Sequence, residues 1–491
     1  MNLPSHSTLL SLSIWILSFV VQASPALELH AADRPIDIGT RVEMFVDDWL
    51  IDPALRRGIS LELQAPVRRE VVLTTDKPWE GHFSAYYTIF QDGAKYRLYY
   101  RGSAATSDKS EQQFTCYAES ADGIHFVRPN LGLIEFNSSK ENNIILSGTE
   151  SHNFAPFLDS NPAAKPGERY KALAGIGSKL HALGSPDGLH WKKLQAEPVM
   201  TKGTFDSLNL AFWDTQSNCY RAYSRYFDRG DYAGYRAIQS NQSPDFLHWD
   251  EPQPNHYADG VPKTHFYTNA TFPCPGAPHH YLAFPMRFVP DRKKVQEMKQ
   301  PGVSDAIFMS SRDGRNWDRT HLEAWLRPGT DQRNWTHRSN MPAWGIVPTG
   351  TDEFSMYVSE HYDWPDNRLR RVTIRRHGFS SAHAGYSGGE FTTRPLIFSG
   401  DKLVLNYATS AAGSIAVELQ DESGKPLSGY ALADMKPLFG DELDSVTAWN
   451  SKHDLSAIAG KPVRLHFVLH DADLFSIRTA KTDEKLQASV K

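Results

Sequence analysis

Polar and apolar positions alternate along this chain in short runs. "KYRLYY" from Lys95, "FTCYAES" from Phe114, "CYRAYSRYF" from Cys219, "HYLAFPMRF" from His280 and "EFSMYVSEHY" from Glu353 are rich in aromatic residues, with Gly, Asn, Asp or Pro between the runs. A period near two with such punctuation predicts β-strands, because successive side chains of a strand point to opposite faces. The predicted class is all-β.

The punctuation itself repeats. The pattern S-x-D-x-x-x-(W/F) occurs as "SADGIHF" at Ser120, "SPDGLHW" at Ser185, "SPDFLHW" at Ser243 and "SRDGRNW" at Ser311. The aspartates are Asp122, Asp187, Asp245 and Asp313, so the spacings are 65, 58 and 68 residues. A further step of 64 from Asp313 reaches His377 in "RHGFSS", which keeps a glycine and a phenylalanine but has lost the aspartate. Self-similarity at a steady period marks a module that cannot bury its apolar face alone. Asp-Gly is a hairpin signal, since glycine takes positive φ freely and the aspartate bonds nearby amides. About four strands per unit, five times over, predict a five-bladed β-propeller. The phrase aspartates are expected to build turns and not to catalyse. Similar phrases, the Asp-boxes of sialidases and other propellers, imply a fold marker away from the active site.

After the fifth unit comes the glycine-rich "AHAGYSGGEFTTRP" at 382–395, followed by strands such as "KLVLNYAT" and "KPVRLHFVLHDADLFSIR". These predict a C-terminal β-sandwich over 395–480, expected chiefly to stabilise the propeller over 41–381. A propeller must close its ring, and "RVEMFVDDWLI" at 41–51 is assigned the closing strand.

Composition narrows the function classes. The chain has 491 residues, 12% aromatic and 22% charged, with a formal net charge of −5, which suits a large all-β enzyme or binding protein and offers no basic surface for nucleic acid. Locally basic "RLRRVTIRR" at 368–376 alternates like a strand with one solvated face. "LLSLSIWILSFVV" from Leu9 to Val21 predicts a signal peptide over 1–23 and a secreted or periplasmic protein, with no membrane association beyond it. Cys116, Cys219 and Cys274 are too far apart for a disulfide scaffold or a zinc site and are expected as free buried thiols.

A five-bladed propeller followed by a sandwich in an exported chain resembles the invertase and levanase group, glycoside hydrolase family 32, and its family 43 cousins. Family 32 carries Asn-Asp-Pro-Asn-Gly, Arg-Asp-Pro and Glu-Cys motifs, and none is intact here: "FVDDWLID" and "SRYFDRGD" hold acids without the defining neighbours. The family's catalytic residues are therefore not carried over. "FVDDWLI", "FDSLNLAFWD" and the Tyr-Val-x-Glu-His-Tyr stretch together resemble a group of exported bacterial proteins labelled family 32-like. The resemblance implies a glycosidase acting on an oligo- or polysaccharide.

In a propeller the innermost strand of each blade starts at the central funnel, so polar residues just before it are the ones a ligand meets. These are Glu80, His82 and Ser84; His152 and Asn153; Asp206, Ser207 and Asn209; Tyr267 and Asn269; and His337, Arg338 and Asn340. The returning strands end in Arg101, Arg225, Arg287 and Glu360 with His361. Arginine's planar fork grips carboxylates or sugar hydroxyls, which points towards a substrate that carries an acid. Glycoside hydrolysis usually needs two carboxyl groups. Glu360, among Tyr357, Tyr362 and Trp364, is expected to have a raised pKa and to act as acid; Asp206 is the base or nucleophile; Glu80 is the third candidate, with Asp47 or Asp48 outside it. Substrate binding is assigned to His82, His152, Asn209, Arg225, Asn269, Arg287, Arg338 and His361. Trp79, Trp213, Trp335 and Trp344 are candidates for stacking on sugars, though most are expected between blades. His82 and His152 lack metal-ligand spacing, so no metal or cofactor is expected. Two other readings remain open: a catalytically silent propeller that binds glycans or a protein, and a sialidase-like hydrolase, against which the count of five units weighs.

Overall fold

A computed structural model describes Met1 and residues 34–104, 112–230 and 232–484. The signal segment expected over 1–23 otherwise lies outside them. The described chain is nearly all β, and its named helical segments are short 3-10 turns. None of its helices is long and apolar enough to cross a membrane.

Five sheets, each built on antiparallel strands, follow one another along the sequence, and the fourth also carries His256–Tyr257 parallel to Asn316–Asp318. The first holds Ala85–Asp92, Lys95–Ser103, Gln113–Ser120 and Ile144–Ser147; the second Ala155–Leu158, Tyr170–Ile176, Lys179–Ser185 and Lys192–Lys193; the third Leu210–Asp214, Cys219–Phe227, Arg236–Ser243 and Gln253–Pro254. The fourth is built on Thr271–Cys274, Ala277–Ala283, Met309–Ser311 and Asn316–Asp318, and the fifth on Met341–Pro342, Glu353–Glu360 and Arg368–Arg375. Their contacts run in cyclic order. Arg97 reaches from the first sheet to the Asp187 carbonyl beside the second at 2.9 Å, and Tyr220 of the third bonds Asp159 at 2.7 Å. Tyr281 of the fourth bonds Asp214 of the third at 2.7 Å, and the Trp344 indole donates to the Thr271 carbonyl at 2.9 Å. The Ile89 N–H then donates to Trp344 O at 2.8 Å and returns the fifth sheet to the first.

The repeated phrase is the turn between third and fourth strands. In "SPDGLHW", Asp187 Oδ1 accepts the Leu189 and His190 N–H groups at 2.8 and 2.9 Å, Oδ2 lies 2.7 Å from His190 Nδ1, and Ser185 Oγ accepts the Gly188 N–H at 2.9 Å. Burial pushes the Asp187 carboxyl up, but these donors outweigh it and hold the group well below the usual aspartate range. Gly188 sits at φ +81°, and a Cβ there would lie 2.7 Å from Tyr99 Oη. That tyrosine donates to the Gly188 carbonyl, as Tyr357 does to Gly123 and Tyr223 to Gly314. Each of these turns is thus gripped by the preceding sheet, which is structural work and matches the expected role. Asp187→Ala is expected to cost about 1–2 kcal/mol in equilibrium denaturation without changing any activity per folded molecule.

The fifth unit has no aspartate because its chain leaves before a fourth strand. After His377, Ser380–Ala384 pairs with Arg464–Ala480 and Ser60–Leu63. The missing edge strand is Val67–Thr74, antiparallel to Arg368–Arg375. This corrects the closing role given to 41–51. Within and beside that stretch, Glu43–Met44 pairs with Arg464–Ala480, and Ile51–Arg57 pairs with Gly389–Thr393.

The C-terminal module is organised by two long antiparallel strands, Lys402–Gln420 and Arg464–Ala480. Its core includes Phe45, Leu50, Phe391, Leu405, Trp449 and Phe467, all at most 1% exposed. The N-terminal strands from Ile36 to Leu63 belong to this module, so it begins in sequence before the first sheet and ends after the last. Cys116, Cys219 and Cys274 are free, as expected, with Cys219 only half-buried.

Candidate active site

Each sheet brings residues to one connected array. From the first, Arg101 hydrogen-bonds the Phe83 carbonyl at 2.7 Å and lies 4.8 Å over the Tyr86 ring. Before the second, His152 packs on Tyr86 at 5.8 Å and its Nδ1 lies 2.8 Å from Gln113 Oε1 and 3.4 Å from Arg101 Nη1. From the third, Asp206 is ion-paired to Arg225, and its carbonyl accepts the Tyr86 hydroxyl at 3.2 Å. Before the fourth, Tyr267 lies under three guanidinium groups, Arg225, Arg236 and Arg338, at 5.2, 5.7 and 5.3 Å. At the fifth, Arg338 donates to Tyr362 Oη at 3.0 Å, and Arg101 reaches the same oxygen at 3.3 Å. His337 and Phe83 meet the Tyr362 ring edge-on at 5.5 and 5.7 Å.

The strand register explains this convergence. Ala85 pairs with Arg101, Leu210 with Tyr223 and Met341 with Ser359, so each second strand returns to the end where the first began. Tyr86 at φ +55° and Arg338 at φ +60° take left-handed backbone that turns their side chains out of the regular pleat. Burial, and then the neighbouring Arg225 and Arg338 charges, hold the Arg236 guanidinium below its usual value. Positive charge is therefore concentrated here, beside the Asp206 carboxylate, whose side chain is 36% exposed.

Other candidates are engaged elsewhere. The Glu360 side chain, 1% exposed, is bound by Arg368 Nε at 2.9 Å, Arg370 Nε at 2.8 Å and Arg68 Nε at 3.3 Å. Burial pushes its carboxyl up, but Arg370 and Arg368 outweigh it, and the net direction is down. The raised pKa expected of a catalytic acid is corrected: three guanidinium groups stabilise the anion. Glu80 is buried against Arg128, Tyr100 and the Lys77 N–H. His361 is held between Asp331 and Asp366 at 2.8 and 2.9 Å. Arg287 makes a two-toothed pair with Asp305 at 2.8 and 2.6 Å. Asn209 donates to the Phe205 and Ser207 carbonyls, and Asn269 to Leu208, so these amides fasten the backbone leading into the inner strands. His82 is exposed and its carbonyl accepts the Asn367 amide at 2.7 Å. Asp47 is bound by Arg312 at 2.9 and 3.0 Å. The Trp79, Trp335 and Trp344 indoles donate to Asn143, Gly329 and Thr271, and Trp213 meets Tyr220 edge-on.

Arg236 of the array, and Asp363, which follows Tyr362 in the sequence, escaped the sequence reading. Arg236 starts the third strand of its sheet and pairs with Phe227, which places it at the same end as Arg225. Asp363, half-buried at φ +67°, follows Tyr362 in the turn after Glu353–Glu360, and its N–H donates to the His82 carbonyl at 2.8 Å. The signal for Arg236 was present: the hairpin of Cys219–Phe227 with Arg236–Ser243 closes at the end that carries Arg225.

No protein-family description and no curated protein matches the chain. Among solved structures it is similar to a β-1,2-mannobiose phosphorylase from Listeria innocua, at 12% identity over 64% of this chain and 97% of that one, TM-score 0.43. An N-acetylgalactosamine deacetylase from F. plautii in complex with blood group B trisaccharide is 13% identical over 64% and 95%, TM-score 0.43. A glycosyl hydrolase from Bacteroides ovatus is 14% identical over 64% and 94%, TM-score 0.42. At such identities and scores these likenesses assign neither family nor activity.

Proposed function

We propose that the chain is an exported carbohydrate-active enzyme, secreted or periplasmic, that hydrolyses O-glycosidic bonds of an oligo- or polysaccharide. The five sheets are the blades of a propeller, the C-terminal module is a β-sandwich, and the substrate binds where the blades converge. The observation that carries this reading is the single array of arginine, tyrosine and histidine side chains, drawn from strands of the five sheets and the segments just before them, that includes the partly exposed Asp206 carboxylate on Arg225. Asp206 acts as the ionised carboxylate, base or nucleophile. Asp363 replaces Glu360 as the second carboxyl, because Glu360 is already neutralised within its own sheet. Arg101, Arg225, Arg236 and Arg338 hold hydroxyls or an acidic group of the sugar.

Arg236 has no carboxylate partner among the described residues. Arg236→Met is accordingly expected to raise KM for an acid-bearing oligosaccharide about 10-fold to 100-fold, the worth of a charge-assisted hydrogen bond, and to change KM for a neutral one much less. The test of the reading itself is hydrolysis of a panel of neutral and acidic oligosaccharides by the mature protein. Release of reducing ends from any member supports it. Glycan binding without hydrolysis would establish the silent propeller instead, a reading favoured by the Arg225 pair that occupies Asp206.

A further inference from the structure

Outside the array, one group of histidine and carboxylate side chains stands out. Among the described residues, Glu43, His279 and His280 are all buried and offer three ligand atoms that lie within 4.8 Å of one another. His279 Nε2 is 3.3 Å from Glu43 Oε1, and His280 Nε2 is 3.4 Å from Oε2. Three features are poorly served by hydrogen bonding. Beyond these long approaches to Glu43, the buried His279 Nε2 and His280 Nδ1 have no hydrogen-bond partner of good geometry, and His280 Nε2 accepts the Met44 N–H at a long 3.4 Å. A buried polar atom without a partner is costly and calls for an explanation.

We propose that Glu43, His279 and His280 bind a divalent transition ion of the zinc class. Ligand atoms 2.0–2.1 Å from a tetrahedral ion are roughly 3.3–3.4 Å apart along each edge. The two histidine nitrogens approach opposite oxygens of the carboxylate at 3.3 and 3.4 Å, close to that edge length, and one ligand atom from each of the three residues lies within 4.8 Å of the others. Two nitrogens and one carboxylate form a donor set that zinc accepts, with a fourth position left for water. The carboxylate is also held by Arg312 Nη1, which donates to Oε2 at 2.8 Å, and by Arg41 Nη2, which donates to Oε1 at 3.1 Å, as ligating carboxylates commonly are hydrogen-bonded. The Arg312 charge is balanced by its two bonds to Asp47. Glu43 lies on a strand of the C-terminal module and both histidines lie on the fourth sheet. The ion therefore fastens the two modules together, and its role is separate from glycoside chemistry.

The test uses the full mature chain with any purification tag removed, stripped by a chelator and then given zinc or cobalt alone. One equivalent of zinc retained through gel filtration, a tetrahedral cobalt absorption spectrum and a rise in Tm with zinc are expected. His279→Gln, whose side chain is 12% exposed against none for His280, is expected to weaken zinc binding at least about 100-fold, while His453→Gln on the surface is not. Glu43→Gln gives a second variant if the first misfolds. No retained zinc in the wild-type chain, or full retention in folded His279→Gln and Glu43→Gln, would overturn the assignment.

Discussion

Glu360→Gln is expected to lower stability by about 3–5 kcal/mol and to leave turnover per folded molecule unchanged. The carboxylate is buried, and Arg68, Arg368 and Arg370 converge on it. Removing one partner of a buried charged network leaves the others uncompensated, which costs more than the network contributes against apolar replacements. The same residue predicts an acid limb of stability. Its folded pKa is lowered relative to the unfolded chain, because the arginines outweigh the upward push of burial. A lowered carboxyl contributes fully above its ordinary value and loses that contribution as pH falls through the folded value. Denaturant midpoints measured from neutral to acid pH should fall less steeply in Glu360→Gln than in the wild type. Loss of turnover with unchanged stability would instead restore Glu360 as a catalytic group.

The contrast between Glu360 and the turn aspartates shows where sequence reasoning reaches. Asp122, Asp187, Asp245 and Asp313 act on amides two and three residues ahead, so their role is written locally and repeats. Phe246 breaks the glycine pattern, at φ +72°, yet its ring is fully buried against Phe157, Tyr220 and Trp249, and that packing offsets the backbone strain. Glu360 is harder because Arg68 comes from 292 residues away. Its pairing with Arg368, however, is a hairpin register. "SEHYDWPDNRLRR" already held an acid facing two arginines across a turn. The closing strand was illegible for another reason. Both 41–51 and 67–74 can form strands, and only the competing demand of the C-terminal module for Glu43–Met44 and Ile51–Arg57 decides between them.

Asp206→Asn is expected to reduce hydrolysis by about a thousandfold or more, the scale of losing a positioned base or nucleophile. Asparagine keeps the volume and one acceptor for Arg225, so the change removes charge with little loss of shape. Arg225 would still rest on Tyr267 at 5.2 Å and Phe227 at 5.4 Å, which limits the unfolding cost. The pairing of Asp206 with a buried arginine resembles that of Glu360, and the two differ in one respect that decides their roles. Glu360 is closed off by three cations, whereas the Asp206 side chain remains 36% exposed at the point where the other sheets direct Tyr86, Tyr267 and Tyr362. Turnover and Tm measured together on both variants separate the cases. A catalytic Asp206 loses turnover with a small change in Tm. A drop in Tm with turnover per folded molecule intact would reduce it to an ion pair and transfer the catalytic assignment to Asp363, where Asp363→Asn would then have to abolish hydrolysis.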